Sequence, residues 1–246
     1  INTRVRLIIP AVAVMLWMCA IHDATAGSQW QASSSVSYYT GDYGTLTDTE
    51  TTYLLLGLKR YFPSWEVSGS VPFLNSKSSG QDTSSESGLG DTVVKGKYYT
   101  AEQDGLLPYI DVAAKVKLPT ADEDKGLGTG ELDAGFGLES LYRMRESHLL
   151  FFDIEYTVIG DSPDYDYANR VLLDAGYGHL IGRDILLAAL FEHRTAIVDD
   201  NADAQSIMLS VDYRFRPRIK LNFLVEFGLS EGAADLGITA GFRYYL

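Results

Sequence analysis

Cysteine and histidine are scarce in this sequence, and long apolar runs are confined to its first residues. Cys19 is the only cysteine and there are four histidines, so a disulfide within the chain and a cysteine-based metal site are excluded. Acidic residues outnumber basic ones by 33 to 20, which argues against nucleic acid as a partner. Beyond the first residues no apolar stretch is long enough for a membrane helix, so any membrane crossing must use strands.

The first residues have the pattern of an export signal. Arg4 and Arg6 precede an apolar run from Leu7 to Ile21, and Ala24-Thr25-Ala26 is a small-x-small cleavage site. The apolar run of about 15 residues is shorter than the roughly 20 that a spanning helix needs. A cleaved signal peptide at 1–26 is therefore favoured over a membrane anchor.

The remainder, 27–246, is interpreted as one domain of alternating strands. Apolar and polar side chains alternate with the period of a half-buried strand, as in 218–229, where Phe223 and Val225 oppose Lys220 and Glu226. The segments have roughly the length that crosses a bilayer when tilted, and short connections alternate with longer ones. They lie near 29–40, 51–60, 65–74, 91–100, 109–118, 131–142, 148–158, 169–180, 184–195, 205–216, 218–229 and 235–246.

This pattern predicts an all-β fold: a transmembrane antiparallel up-and-down β-barrel of about 12 strands, preceded by a cleavable signal peptide. The expected location is the outer membrane of a Gram-negative bacterium. Its expected partners are outer-membrane lipid and lipopolysaccharide.

Charged residues recur on the polar face of nearly every predicted strand. Such faces cannot pack together dry, because buried unpaired charges are costly, so we expect them to surround a wet lumen. A wall of mutually satisfied ion pairs and a selectivity field along a pore are both open interpretations. The lumen-lining candidates are Lys95, Lys97, Asp111, Lys115, Lys117, Asp133, Glu139, Asp153, Glu155, Asp174, Glu192, Arg194, Asp212, Arg214, Lys220, Glu226 and Arg243.

The last residues resemble the C-terminal insertion signal of outer-membrane barrels. Thr239 and Gly241 are followed by apolar Tyr244 and Leu246, at the third-last and last positions. The resemblance implies that the barrel-assembly machinery binds the C-terminal strand.

Short motifs in the middle of the chain resemble a bacterial outer-membrane transporter family that carries the description "putative MetA pathway of phenol degradation". The motifs are Gly88-Leu89-Gly90-Asp91, Lys97-Tyr98-Tyr99, Lys117-Leu118-Pro119-Thr120 and Gly126-Leu127-Gly128-Thr129-Gly130 with Asp133. The resemblance implies a barrel and the passage of a solute. Taken locally, the glycines and the proline are interpreted as punctuation between loop and strand rather than as a binding site.

No enzymatic activity, catalytic residue, metal site or cofactor is expected. His148, His179 and His193 fall on the lipid-facing side by alternation, and no serine nucleophile shares that side with His193. Paired strands at 148–158 and 169–180 would place His148 opposite His179. The expected function is a channel for small organic solutes, aromatic or hydrophobic ones included. The alternative is a non-conducting surface or adhesion barrel that acts through its acidic extracellular loops.

Overall fold

The structure is a computed structural model that describes residues 29–45, 47–79, 84–162, 166–199 and 201–246. The predicted signal peptide at 1–26 lies outside these residues. In the described ranges no helix is long and apolar enough to cross a membrane.

Antiparallel strands make up nearly all of the regular structure. A short 3-10 turn at Glu123–Lys125 interrupts the connection between the sixth and seventh strands. The strands are β1 (Trp30–Gly41), β2 (Asp48–Tyr61), β3 (Trp65–Ser79), β4 (Ser84–Leu89), β5 (Thr92–Ala101), β6 (Tyr109–Leu118), β7 (Asp133–Arg145), β8 (His148–Val158), β9 (Arg170–Ile181), β10 (Ile185–Arg194), β11 (Ala204–Arg216), β12 (Ile219–Gly228) and β13 (Leu236–Tyr245).

The sheet closes on itself into a barrel. β1 pairs with β13 on one side and β2 on the other, and β2 pairs in turn with β3. β4 and β5 both pair with β3, β5 along Trp65–Ser70 and β4 along Phe73–Ser78. These two strands are therefore pieces of one interrupted wall strand, and the wall has 12 strands. The predicted fold class, a closed antiparallel barrel, is confirmed.

One predicted connection is partly strand instead. Residues 75–90 were expected to form a loop, but β3 continues to Ser79 and β4 returns along it as a hairpin. This segment is rich in serine and has no apolar face, so its sequence carries no period-2 signal. Backbone pairing holds the hairpin, with side-chain hydrogen bonds between Thr49 and Ser78 and between Thr51 and Ser76, at the end of the barrel that carries the longer connections.

Side chains alternate between a buried inner face and an exposed outer face. In β11, Ser206, Met208 and Ser210 are buried, whereas Ile207 and Leu209 are exposed. The outer face is apolar, as expected for contact with lipid. The inner face holds charged side chains and also apolar ones such as Met208, so it is more mixed than the expected wet, charged lining.

The lipid-facing assignment predicts a depth-dependent effect of charge. Leu209 lies near the middle of β11 and Phe215 near its end, and both are exposed. Leu209→Lys should lower the free energy of unfolding in lipid vesicles by about 2–4 kcal/mol more than Leu209→Ala, whereas Phe215→Lys should cost only about 0–1 kcal/mol more than Phe215→Ala. Equilibrium denaturant titration measures both. Equal effects at the two depths would contradict the assignment.

Candidate functional site

The lumen-lining candidates all have buried or half-buried side chains, on the inner side of the wall. Their lining of a conducting pathway stays a prediction. The inner surface they help to form has two parts. One part, on β2 to β7, is dense in ion pairs, and the other, on β8 to β12, combines apolar side chains with carboxylates.

We call the first part the ion-paired wall, formed by Lys59, Glu66, Lys95, Lys97, Tyr99, Asp111 and Glu139. Lys97 is its centre: its Nζ lies 3.0 Å from Glu139 Oε2 and 3.5 Å from Asp111 Oδ2. The same ammonium lies 3.6 Å from Glu66, and Lys95 Nζ lies 2.7 Å from Glu139. Because these charges satisfy one another, the wall gains little by binding further ions.

Several interior groups were not among the candidates from the sequence. Lys59 and Glu66 form an ion pair at 2.6 Å, and Tyr99 donates a hydrogen bond of 2.9 Å to Glu66. Asp91 and Arg170 also lie inside. Alternation along β2 and β3 places Lys59 and Glu66 on the inner face, so the sequence was sufficient to predict the position of these two residues.

We call the second part the apolar wall. Its buried cluster consists of Leu172, Ala188, Leu190, Met208 and Leu224, with Phe151 packed against it. The cluster crosses four consecutive strands, β9 to β12, on the inner face of the barrel. Apolar side chains there face away from lipid, so membrane contact does not explain them.

The remaining candidates connect to these two parts or lie near the rims. Lys115 pairs with Glu155 at 2.5 Å, and Arg243 donates to Asp212. Glu226 accepts a hydrogen bond of 2.7 Å from Ser206. Arg214 and Lys220 also have half-buried side chains, and Lys220 Nζ lies 5.5 Å from the Tyr245 ring.

A loop folds into the mouth of the barrel at the end with the longer connections. We call residues 119–132 the mouth loop. Its Leu127 is buried in a cluster with Tyr39 of β1, Tyr53 of β2, Leu74 of β3 and Ala234 from the β12–β13 connection. The two tyrosine rings meet edge to face, with centroids 5.9 Å apart. Since the loop joins β6 to β7, it reaches across the mouth to strands several positions away, and its apolar tip packs against their inner side chains.

A charged latch holds the mouth loop in this position. We define the latch as Lys117, Asp91, Asp133 and Thr129. Lys117 Nζ lies 2.9 Å from Asp133 Oδ2 and 3.2 Å from Asp91 Oδ2, and it donates to Thr129 Oγ1. Asp91 Oδ1 also accepts a hydrogen bond from the Ala121 amide at 3.1 Å. The ammonium therefore joins the start of β5, the end of β6, the start of β7 and the loop itself.

The glycines of the mouth loop have specific packing roles. A Cβ added at Gly128 would lie 2.6 Å from Asp91 Oδ2 and 2.6 Å from the Ala121 side chain, so only glycine fits beside the latch. Gly126 has a φ of 67°, which closes the 3-10 turn in the left-handed region. The interpretation of these glycines as residues that end a loop or strand accounts for the turn at Gly126. Gly128 has a different role, because a larger residue would collide with Asp91 of the latch.

The C-terminal residues and the histidines lie where alternation placed them. Thr239 is buried and donates a hydrogen bond of 2.8 Å to Ser37, whereas Tyr244 and Leu246 are exposed on the outer face. The role of this segment as an insertion signal stays a prediction. His148 lies directly opposite His179, as expected if β8 and β9 pair. His148 Nδ1 is also 2.6 Å from the Tyr177 hydroxyl, on the outer face of the barrel.

Comparison with known proteins points to outer-membrane channels. The family described as "Putative MetA-pathway of phenol degradation" matches residues 20–246. No curated protein matches the chain in sequence. The COG4313 outer membrane channel from Pseudomonas putida F1 has the same fold, with a TM-score of 0.77 at 12% identity over 89% of this chain and 96% of that one.

Two further solved structures share the fold at lower similarity. The KdgM porin has a TM-score of 0.59 at 9% identity, over 87% of this chain and 99% of that one. The CymD monoaromatic hydrocarbon channel has a TM-score of 0.52 at 7% identity, over 89% of each chain. At these identities the likeness shows the fold alone, which is that of outer-membrane channels and porins.

The latch predicts that one substitution will loosen the mouth loop. Lys117→Met leaves Asp91 and Asp133 buried without their ammonium, and loss of one partner of a buried pair typically costs about 3–5 kcal/mol. The variant should show a larger single-channel conductance and faster cleavage within 119–132 by a non-specific protease. Planar-bilayer recording and mass spectrometry of the fragments measure these effects.

The matched control is Lys125→Met, which removes an exposed lysine of the same loop that pairs with the exposed Asp122 at 3.3 Å. It should leave conductance and cleavage unchanged, because exposed pairs contribute little. If both variants behave like the parent protein, the latch does not hold the loop.

Proposed function

The chain belongs to the family described as "Putative MetA-pathway of phenol degradation", and we propose that it is an outer-membrane channel for small organic solutes with an apolar body. Its proposed location is the outer membrane of a Gram-negative bacterium, with the outer face of the barrel in lipid. The solutes in this proposal include aromatic ones.

The apolar wall is the observation that carries this proposal. Leu190, Met208 and Leu224 are buried on the inner face, although the outer face alone needs apolar side chains for lipid. These side chains pack against one another in the interior, so a solute contacts them only where it enters between them, and such contact favours an apolar solute over an ion or a sugar. Phe151 adds an aromatic ring that favours flat solutes.

The mouth of the barrel supports the same class of solute. Tyr39, Tyr53, Leu74 and Leu127 pack together as a buried cluster at the mouth, so a solute that passes the mouth loop moves along aromatic and apolar side chains. CymD, a monoaromatic hydrocarbon channel, is built on a similar barrel. The ion-paired wall completes the interior with charges that are already satisfied by one another.

Conduction is the first property to test. The refolded protein should produce discrete current steps in planar bilayers and allow swelling of liposomes in small uncharged solutes. Absence of both under all conditions would contradict a channel and favour the non-conducting surface barrel.

A single substitution tests solute preference. Met208→Gln keeps the length of the side chain but places an amide in the apolar wall. Uptake of a radiolabelled monocyclic aromatic by intact cells expressing the chain should fall by about three-fold or more, because the contact surface loses apolar character. Uptake of a pentose should stay unchanged.

The control for this experiment is Met144→Gln, since Met144 is exposed near the end of β7 away from the mouth loop. It introduces the same amide outside the pathway, so both uptake rates should equal those of the parent. Equal loss of aromatic and pentose uptake in Met208→Gln would mean that the substitution blocks the pore rather than changing its preference.

A further inference from the structure

Acidic side chains occupy directly opposed positions on four neighbouring strands. Glu139 on β7 faces Asp153 on β8, Asp153 faces Asp174 on β9, and Asp174 faces Glu192 on β10. We call this line the carboxylate row. Opposed residues have Cβ atoms about 4.5–5.5 Å apart, and like charges in such pairs repel. The row therefore needs cations or protons to be stable.

Among the described residues, lysine ammonium groups contact only one end of the row. Glu139 contacts Lys95 at 2.7 Å and Lys97 at 3.0 Å, within the ion-paired wall. Asp153 accepts a hydrogen bond of 3.1 Å from the Ser140 amide. At the other end, the guanidinium groups of Arg194 and Arg170 lie near Glu192, and neither donates a hydrogen bond to it.

Asp174 and Glu192 are buried carboxylates with unused acceptor atoms. Their exposed fractions are 3% and 1%. Among the described residues, no group donates a hydrogen bond to Asp174 Oδ1 or to either oxygen of Glu192. The cation in contact with Glu192 is Arg194, whose Nη1 lies at 4.0 Å, beyond hydrogen-bond distance. Buried acceptors without donors are costly, so this pair is prepared for a donor that arrives from outside.

The same pair is flanked by the apolar wall on both sides. Leu172 precedes Asp174 by two residues on the inner face of β9, and Leu190 precedes Glu192 by two residues on β10. Because β9 and β10 are antiparallel, these leucines lie on opposite sides of the carboxylates. Met208 is opposite Leu190 on β11 and extends the apolar surface.

We propose that Asp174 and Glu192, together with the apolar wall, form a subsite for a primary ammonium group attached to an apolar body. The ammonium supplies three donors to two carboxylates that lack them, and the apolar body covers Leu190, Met208 and Phe151. This inference rests on the proposed channel function and names the solute class that its interior is built to hold.

An organic cation fits these groups better than a metal ion does. No set of three or more acidic or histidine side chains in the part of the chain that the structure describes is arranged to hold a metal. Two carboxylates beside aliphatic side chains supply too few ligands for a hard divalent cation, which takes about six or more oxygens. An ammonium needs only a few acceptors, and its carbon body uses the neighbouring surface.

Three related probes test this subsite by block of ionic current in planar bilayers. Benzylammonium carries both the ring and the charge, benzyl alcohol carries only the ring, and methylammonium carries only the charge. In the parent protein, benzylammonium should block at a concentration at least about ten-fold below that of either other probe, because charge-assisted hydrogen bonds add to apolar contact.

The double variant Asp174→Asn/Glu192→Gln removes the charges with little change in shape. It should conduct, and its preference for benzylammonium over benzyl alcohol should fall by about ten-fold or more. The control Glu231→Gln/Asp235→Asn removes two exposed carboxylates from the β12–β13 connection and should keep the preference. Heat-modifiable gel mobility checks that each variant folds.

Three results would overturn the subsite: an unchanged preference in the double variant, equal block by benzylammonium and benzyl alcohol, or equal block by benzylammonium and methylammonium. Each leaves the channel function intact if current is observed. If no current is observed, the channel function fails. Binding of radiolabelled benzylammonium to the protein in nanodiscs, parent against double variant and with empty nanodiscs subtracted, then decides the subsite independently.

Discussion

Backbone hydrogen bonding is the constraint on which the whole structure depends. Inside a bilayer there is no water to satisfy amide and carbonyl groups, so a sheet must have no free edge. β13 meets this requirement by pairing with both β12 and β1, from Gln31 opposite Tyr245 to Thr40 opposite Leu236. Closure after twelve strands fixes the circumference, and the circumference brings inner side chains of several strands into contact.

Contact inside a narrow barrel decides how its charges are arranged. Lys97 is directly opposite Glu66 on β3 and diagonal to Asp111 on β6, and it also reaches Glu139 on β7, two strands away, because the wall curves around it. Charge is tolerated there because each group has partners of opposite sign. Apolar side chains fill much of the inner face of β9 to β12, where fewer lysines are available. Both surfaces follow from one requirement, that groups removed from water be paired or apolar.

The sequence predicts the fold well because parity alone decides the face on which a strand residue lies. The segment predicted at 218–229 is β12 at Ile219–Gly228, and the polar positions within it turn inward. Met208 shares its parity with Ser206 and Ser210, so its inward position was also readable. The ion pair of Lys97 with Glu139 could not be predicted in this way, because it joins strands that are not adjacent and depends on the curvature of the wall. The position of the mouth loop could not be predicted either, because loop residues do not alternate between two faces.

The interrupted wall strand and the mouth loop are best understood as one arrangement. At the break between β4 and β5, the Gly90 amide donates to the Pro72 carbonyl at 2.8 Å, while the Gly90 carbonyl accepts from the Thr120 hydroxyl at 2.9 Å. Asp91 has the inward parity of Lys95 and lies two residues before Val93, which is opposite Lys117, so strand alternation places Asp91 beside that lysine. The break adds the Gly90 carbonyl as a second anchor for the loop. Glycine and proline explain why the strands end here. The contacts of the latch explain why Lys117, Asp91, Asp133 and the crowded Gly128 lie next to these strand ends. The position of the mouth loop thus depends on residues of the wall that lie outside the buried apolar cluster.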